Sequence, residues 1–170
     1  MPVSQDAALK AAETDADDTS GHTKLIELLF FAYRDFTGDA DALLIEYGFG
    51  RAHHRVLHFA NRKPGLNVAE LLDILKITKQ SLARVLKELI GTGYVFQVHG
   101  AKDRRQRELH LSQKGRELTQ SLTRLQTARI SRALAEVGPE NREVIENFLK
   151  AMVDQELRGQ INANNGASNG

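Results

Sequence analysis

A chain of 170 residues, 41% of them hydrophobic and with a formal net charge of +1, fits one domain with appendages and holds enough apolar material for a core. Its lack of Cys excludes disulfides, thiolate metal sites and thiol nucleophiles. No run nears the roughly 18 apolar residues of a membrane-spanning helix, and the N-terminus lacks the basic-then-apolar order of a secretory signal.

The first residues carry Asp6, Glu13, Asp15, Asp17 and Asp18 against one Lys10. Residues 1–22 therefore read as a disordered acidic leader, and 159–170, ending "GQINANNGASNG", as a disordered tail. Over 24–47, Leu25, Leu28, Leu29, Phe36, Leu43, Leu44 and Tyr47 recur at helical spacing. Gly38, within "FTGDAD", is a place for this helix to bend or break, and Gly48 and Gly50 end it. A second helix is expected from Arg51 to Arg62, with Val56, Leu57 and Ala60 inward, until "KPG" stops it.

Asn67 followed by Glu70 forms an Asn version of the capping box for the short helix "VAELLDIL". After the break "KIT", Thr78 can cap a helix running to about Ile90. Two short helices joined by a tight turn make a helix-turn-helix candidate. "YVFQV" and "RELHLS" read as two strands joined by the turn "HGAKDRRQ". Ser112 can cap a long helix to about Val137, with Leu118, Leu122, Leu125, Ile130 and Leu134 inward. Pro139 suits the first turn of a last helix, whose apolar face is Val144, Ile145, Phe148, Leu149, Met152 and Leu157. The expected fold class is mainly α with a small β-hairpin wing: a winged helix-turn-helix between terminal helices.

At about 100° per residue, Val85, Leu86 and Leu89 fall close to Leu82, whereas Gln80, Arg84 and Lys87 lie on the opposite side. An outward amide, guanidinium and ammonium suit base and phosphate contacts. Thr78, Lys79 and Ser81 sit at the helix N-terminus, where hydroxyls and free N–H groups suit a phosphate. A solvated helix face is the ordinary alternative, but the hairpin beside it changes the balance. Lys76 to Glu108 holds eight basic and three acidic residues, a local excess of +5. Lys102, Arg104, Arg105 and Arg107 crowd one turn, as a polyanion partner would favour, and an Arg on a narrow loop suits a narrow minor groove. Asp103 is the exception; two residues before Arg105, it can pair with the Arg105 side chain and aim it.

"NVAELLDILKITKQSLARVLKELIGTGYV" and "DRRQRELHLSQKGREL" together resemble the core of the multiple-antibiotic-resistance regulator (MarR) family. The family's wing pattern falls on Asp103, Arg105, Leu111, Ser112, Lys114 and Gly115. "FFAYRDFTG" and "EYGFGRAHHRVLHF" resemble a PetP-like branch of it. The resemblance implies a domain over 23–158, with a DNA-binding lobe at about 51–112 and dimerisation helices at about 24–47 and 113–158. It implies a homodimeric, cytoplasmic transcription regulator, a repressor by preference, that binds double-stranded DNA on a pseudo-palindrome. Arg105 would be the wing arginine, Asp103 its partner, and Arg104 an added phosphate contact. The apolar stripes of the terminal helices, longer than one small winged helix can cover, support a dimer independently.

The resemblance also places a small-molecule effector near the cleft between the dimer helices and the DNA-binding lobe, with Phe36, His54 and His58 as candidate ligand residues. His54 and His58, at i and i+4, share a helix face with the spacing of metal ligands, but "HHRVLH" lacks the Glu of the zinc-hydrolase pattern. No metal ligand or cofactor is assigned. No acid–base pair, nucleophile arrangement or phosphate loop is evident, so no catalytic residue and no enzyme activity is expected. The competing reading is a winged-helix protein-interaction module with only non-specific affinity for nucleic acid.

Overall fold

The computed structural model describes residues 5–100 and 103–159. In chain order the elements are α1 (Gln5–Glu46), α2 (Arg51–Arg62), β1 (Leu66–Asn67), α3 (Val68–Leu75), α4 (Lys79–Gly91), β2 (Val95–His99), β3 (Arg107–Leu111), α5 (Gln113–Val137), a 3-10 turn (Pro139–Asn141) and α6 (Arg142–Met152). No described helix is long and apolar enough to cross a membrane.

Two expectations are corrected in α1. The segment read as a disordered leader is helical from Gln5 onward. Its Ala-rich run, "DAALKAA", has high intrinsic helix propensity, which outweighs the acidic bias. The helix also passes through Gly38 without a break. A helical Gly costs about 1 kcal/mol relative to Ala. Burial of Ala40 and Leu44 and a 2.9 Å ion pair from Arg129 of α5 to Asp39 hold the helix immediately after that weak point. Leu25, Leu28, Leu29 and Tyr47, which recur at helical spacing, are exposed on the single chain. The tail expectation falls largely on residues 160–170, outside the described residues.

The helix-turn-helix forms for the reasons its sequence gives. Asn67 Oδ1 accepts from the Glu70 N–H at 3.0 Å, and Glu70 Oε2 accepts from the Asn67 N–H at 2.9 Å, completing the capping box. Lys76 adopts the left-handed conformation that ends α3 (φ 51°). Thr78 Oγ1 then accepts from the Ser81 N–H at 3.1 Å to start α4. Leu71, Leu75, Leu82, Val85, Leu86 and Leu89 join Val56, Leu57 and Ala60 of α2 in the core. Each fully buried Leu or Val contributes about 1.5–3 kcal/mol over an exposed one.

The wing is a three-stranded antiparallel sheet in the order β1-β3-β2, not a bare hairpin. β2 and β3 pair Phe96 with His110 and His99 with Arg107, and β1 pairs Leu66 with Leu109. Two-residue β1 has no periodicity to read, and its second residue doubles as the cap of α3. The Ser112, Lys114 and Gly115 positions lock α5 to the wing base. Ser112 Oγ donates to the Gly93 carbonyl at 2.7 Å and accepts from the Gly115 N–H at 3.0 Å. Lys114 Nζ lies 4.2 Å from the centroid of the Tyr94 ring. A Cβ at Gly115 would stand 2.1 Å from the Tyr94 carbonyl oxygen, so no side chain fits there.

Leu118 and Leu122 of α5 are buried, but Leu125 and Ile130, expected inward, are exposed. Val144, Phe148, Leu149 and Met152 of α6 are exposed as well. The apolar faces of the terminal helices thus lie beyond the reach of this chain's own core.

Candidate nucleic-acid interface

α4 presents Lys79, Gln80, Ser81, Arg84 and Lys87 to solvent, opposite its buried stripe. The side chains of Lys79, Gln80, Arg84 and Lys87 make no hydrogen bond or ion pair among the described residues. Thr78 and Ser81 are joined by a 2.9 Å hydroxyl–hydroxyl bond at the helix start. Those hydroxyls and the backbone N–H groups of Lys79 and Gln80, ahead of the capped Ser81 N–H, form a neutral patch suited to a phosphate oxygen, flanked by the Lys79 side chain.

The wing tip is shaped by backbone bonds. The Gly100 N–H donates to the Gln106 carbonyl and the Gln106 N–H to the Asp103 carbonyl, each at 3.0 Å. His99 Nδ1 donates to the Arg104 carbonyl at 2.9 Å. A Cβ at Gly100 would stand 2.7 Å from the Asp103 carbonyl oxygen, which excludes a larger residue where the strand enters the turn. Arg104, Arg105 and Arg107 are exposed, and their guanidinium groups have no partner among the described residues. Lys102 lies outside the described residues.

The expected Asp103–Arg105 side-chain pair is corrected. Asp103 Oδ1 accepts from the Arg105 backbone N–H at 2.9 Å instead. A short carboxylate reaches the N–H two residues on with little loss of freedom. An exposed ion pair would have to fix two flexible side chains for about 0–1 kcal/mol.

A second feature lies behind the lobe. Phe36, His54 and His58, assigned from the family resemblance, line one cleft of about 270 Å³ together with Tyr33, Arg55 and Phe59. Burial holds the His54 and His58 imidazoles below the ordinary histidine range, and the neighbouring His58 and Arg62 charges act in the same direction on His54 and His58 respectively. Among the described residues no group of three or more His, Cys, Asp or Glu could hold a metal ion.

Two polar attachments from α2 to the helix-turn-helix were not expected. Arg55 Nη2 donates to the Leu75 carbonyl at the end of α3 at 3.0 Å. His53 Nε2 lies 2.7 Å from Glu88 Oε2 on α4. The signal for the second was present: His53 stands three and four positions before Val56 and Leu57, on the buried stripe rather than beside His54.

A sequence profile described as the MarR family matches residues 47–106. The HTH-type transcriptional regulator PetP of Rhodobacter capsulatus is 46% identical over 135 residues, covering 79% of this chain and 81% of the relative. The exopolysaccharide II synthesis transcriptional activator ExpG of Rhizobium meliloti is 29% identical over 87% of this chain and 79% of the relative. Among solved structures, the transcriptional repressor CouR bound to a 23-mer DNA duplex superposes with a TM-score of 0.61 at 25% identity, covering 76% of this chain and 89% of that one.

Proposed function

The chain belongs to the MarR family of transcriptional regulators, and on that premise we propose that it binds duplex DNA sequence-specifically as a homodimer and answers to a small-molecule effector. The observation that carries the reading is the stripe of Gln80, Arg84 and Lys87 on α4, which has no partner among the described residues, beside a wing whose guanidinium groups have none there either. α4 enters the major groove, where Gln80 and Arg84 read base edges. Thr78, Lys79, Ser81 and Lys87 take phosphates, and Arg105 enters the flanking minor groove. Arg104, Arg107 and Lys102 add sequence-independent attraction. The DNA-bound state of CouR, a structural relative, supports the same partner here.

Dimerisation rests on the exposed apolar faces of α1 and α6. A twofold axis through them sets two α4 helices about 34 Å apart, one turn of DNA, so the operator is a pseudo-palindrome. The cleft behind the lobe approaches the small end of the range for ligand pockets, about 300–1,000 Å³. Its aromatic lining and its two uncharged imidazoles favour a small planar effector. The relatives include both an activator and a repressor. We take repression, since a dimer seated across a promoter would occlude the polymerase, and a cytoplasmic location.

A mobility-shift titration on selected and random duplexes at several salt concentrations tests the reading. Sequence-specific regulation predicts a preference of about 10³-fold or more for the selected site at physiological salt. Equal affinity for both duplexes, micromolar or weaker, would instead indicate a protein-docking module with non-specific attraction.

A further inference from the structure

We propose that His53 is a positioning residue for DNA readout, holding the Glu88 carboxylate so that Arg84 stays free to meet the DNA. This rests on the reading of α4 as the recognition helix.

Glu88 follows Arg84 by four positions on α4, the spacing at which opposite charges pair along a helix. Arg84, Lys87 and Glu88 share one open groove with Tyr47 and Phe49. Yet Arg84 has no ion pair among the described residues, and Glu88 Oε2 lies 2.7 Å from His53 Nε2. The proton on that imidazole is placed by a second bond. The Gly50 N–H donates to His53 Nδ1 at 3.1 Å, so Nδ1 accepts, the ring proton sits on Nε2, and Nε2 donates to Glu88.

The donor is held rigidly. His53 is 8% exposed and stacks on Phe49 with centroids 4.8 Å apart and planes at 16°. Phe49 meets the edge of Tyr94 at 5.1 Å, where Lys114 and Gly115 fix the wing base. His53 is thus set by the α1–α2 connection, which is itself braced on the wing base through Phe49 and Tyr94. Glu88 is not rigid by itself: its side chain is 45% exposed. Released, it can swing to Arg84 and neutralise the guanidinium that would read the base edge.

The experiment uses the full chain, a duplex selected by the wild type, and a random competitor. His53→Ala is expected to weaken specific binding about tenfold or more, with the largest loss of discrimination at the base pair read by Arg84. Adding Glu88→Gln removes the stray charge and should restore affinity to within about threefold of the wild type, a coupling that a double-mutant cycle isolates. His53→Gln, whose amide can still donate near the Nε2 position, should keep most of the affinity.

If His53→Ala fails to fold, the Glu88 variants decide alone. Glu88→Asp, too short to reach His53 but still charged, should bind several-fold more weakly than Glu88→Gln. A folded His53→Ala with unchanged affinity, a loss not relieved by Glu88→Gln, or equal binding by the two Glu88 variants would overturn the proposal. A wild type that does not distinguish selected from random duplex would overturn the DNA-readout premise instead.

Discussion

The Asp103 carboxylate accepts a hydrogen bond from the Arg105 backbone N–H at 2.9 Å, and the Asp103 carbonyl accepts from Gln106 at 3.0 Å. The one acid in the basic turn therefore works on the backbone path that carries Arg105, and the guanidinium has no partner among the described residues. Asn keeps the same acceptor, so Asp103→Asn should bind the operator within about threefold of the wild type. Asp103→Ala loses the acceptor and should bind about fivefold or more weakly, with little change in melting, since an exposed side-chain bond contributes only about 1 kcal/mol. Shift titrations of both variants check this; if Asn were as damaging as Ala, the carboxylate charge would matter and the turn geometry would not.

Arg84→Ala should cost about 1–3 kcal/mol on the selected site and relax discrimination at one base pair. Lys79→Ala should weaken selected and random duplexes alike and lower the salt slope by about one. Repeating the binding selection with each variant separates the two: an Arg84→Ala logo identical to the wild type's would remove Arg84 from base readout.

The cleft histidines give a pH signature. Burial lowers the His54 and His58 pKa values below the unfolded value near 6.5. Between the lowered folded pKa and 6.5 the unfolded chain binds more protons than the folded one, so stability rises with pH. Their contribution is complete above about pH 6.5 and is lost as pH falls through that window. Asp41 opposes the shift at His54 and moderates it. The melting temperature of the wild type should therefore fall between pH 7 and 5.5 more than that of His54→Gln/His58→Gln. Parallel curves for the two proteins would contradict the assignment.

Phe148 and Leu149 of α6 are each about half exposed on the single chain (52% and 51%) and are not part of the hydrophobic core of the described residues. On the proposed dimer they are covered. Phe148→Glu/Leu149→Glu should convert a dimer into a folded monomer in sedimentation equilibrium and abolish high-affinity operator binding, while weak non-specific binding persists. A double variant that stays dimeric would move the interface elsewhere.

Much of the winged helix was legible in the sequence because its signals are local. The Asn67–Glu70 capping box, the Thr78 and Ser112 caps and the stripe of Leu82, Val85, Leu86 and Leu89 each depend on neighbours a few residues apart. Pairings that join distant segments were not legible. β1 exists only through the register of Leu66 against Leu109, and the His53–Glu88 bond spans 35 positions. The distal part of α5 reads as core by periodicity, which marks an apolar face without saying which chain covers it. At the candidate interface, residue types identified the exposed cations, but the partner of Asp103 was set by turn geometry that composition does not encode.

The central claim is that the α4 stripe and the wing together read a specific duplex. Selection of genomic fragments by the purified protein, followed by sequencing, tests it most directly. The account predicts enrichment of one pseudo-palindromic motif with half-sites about one helical turn apart, lost with Arg84→Ala/Arg105→Ala. Recovery of fragments with no shared motif, in proportion to their length alone, would contradict it.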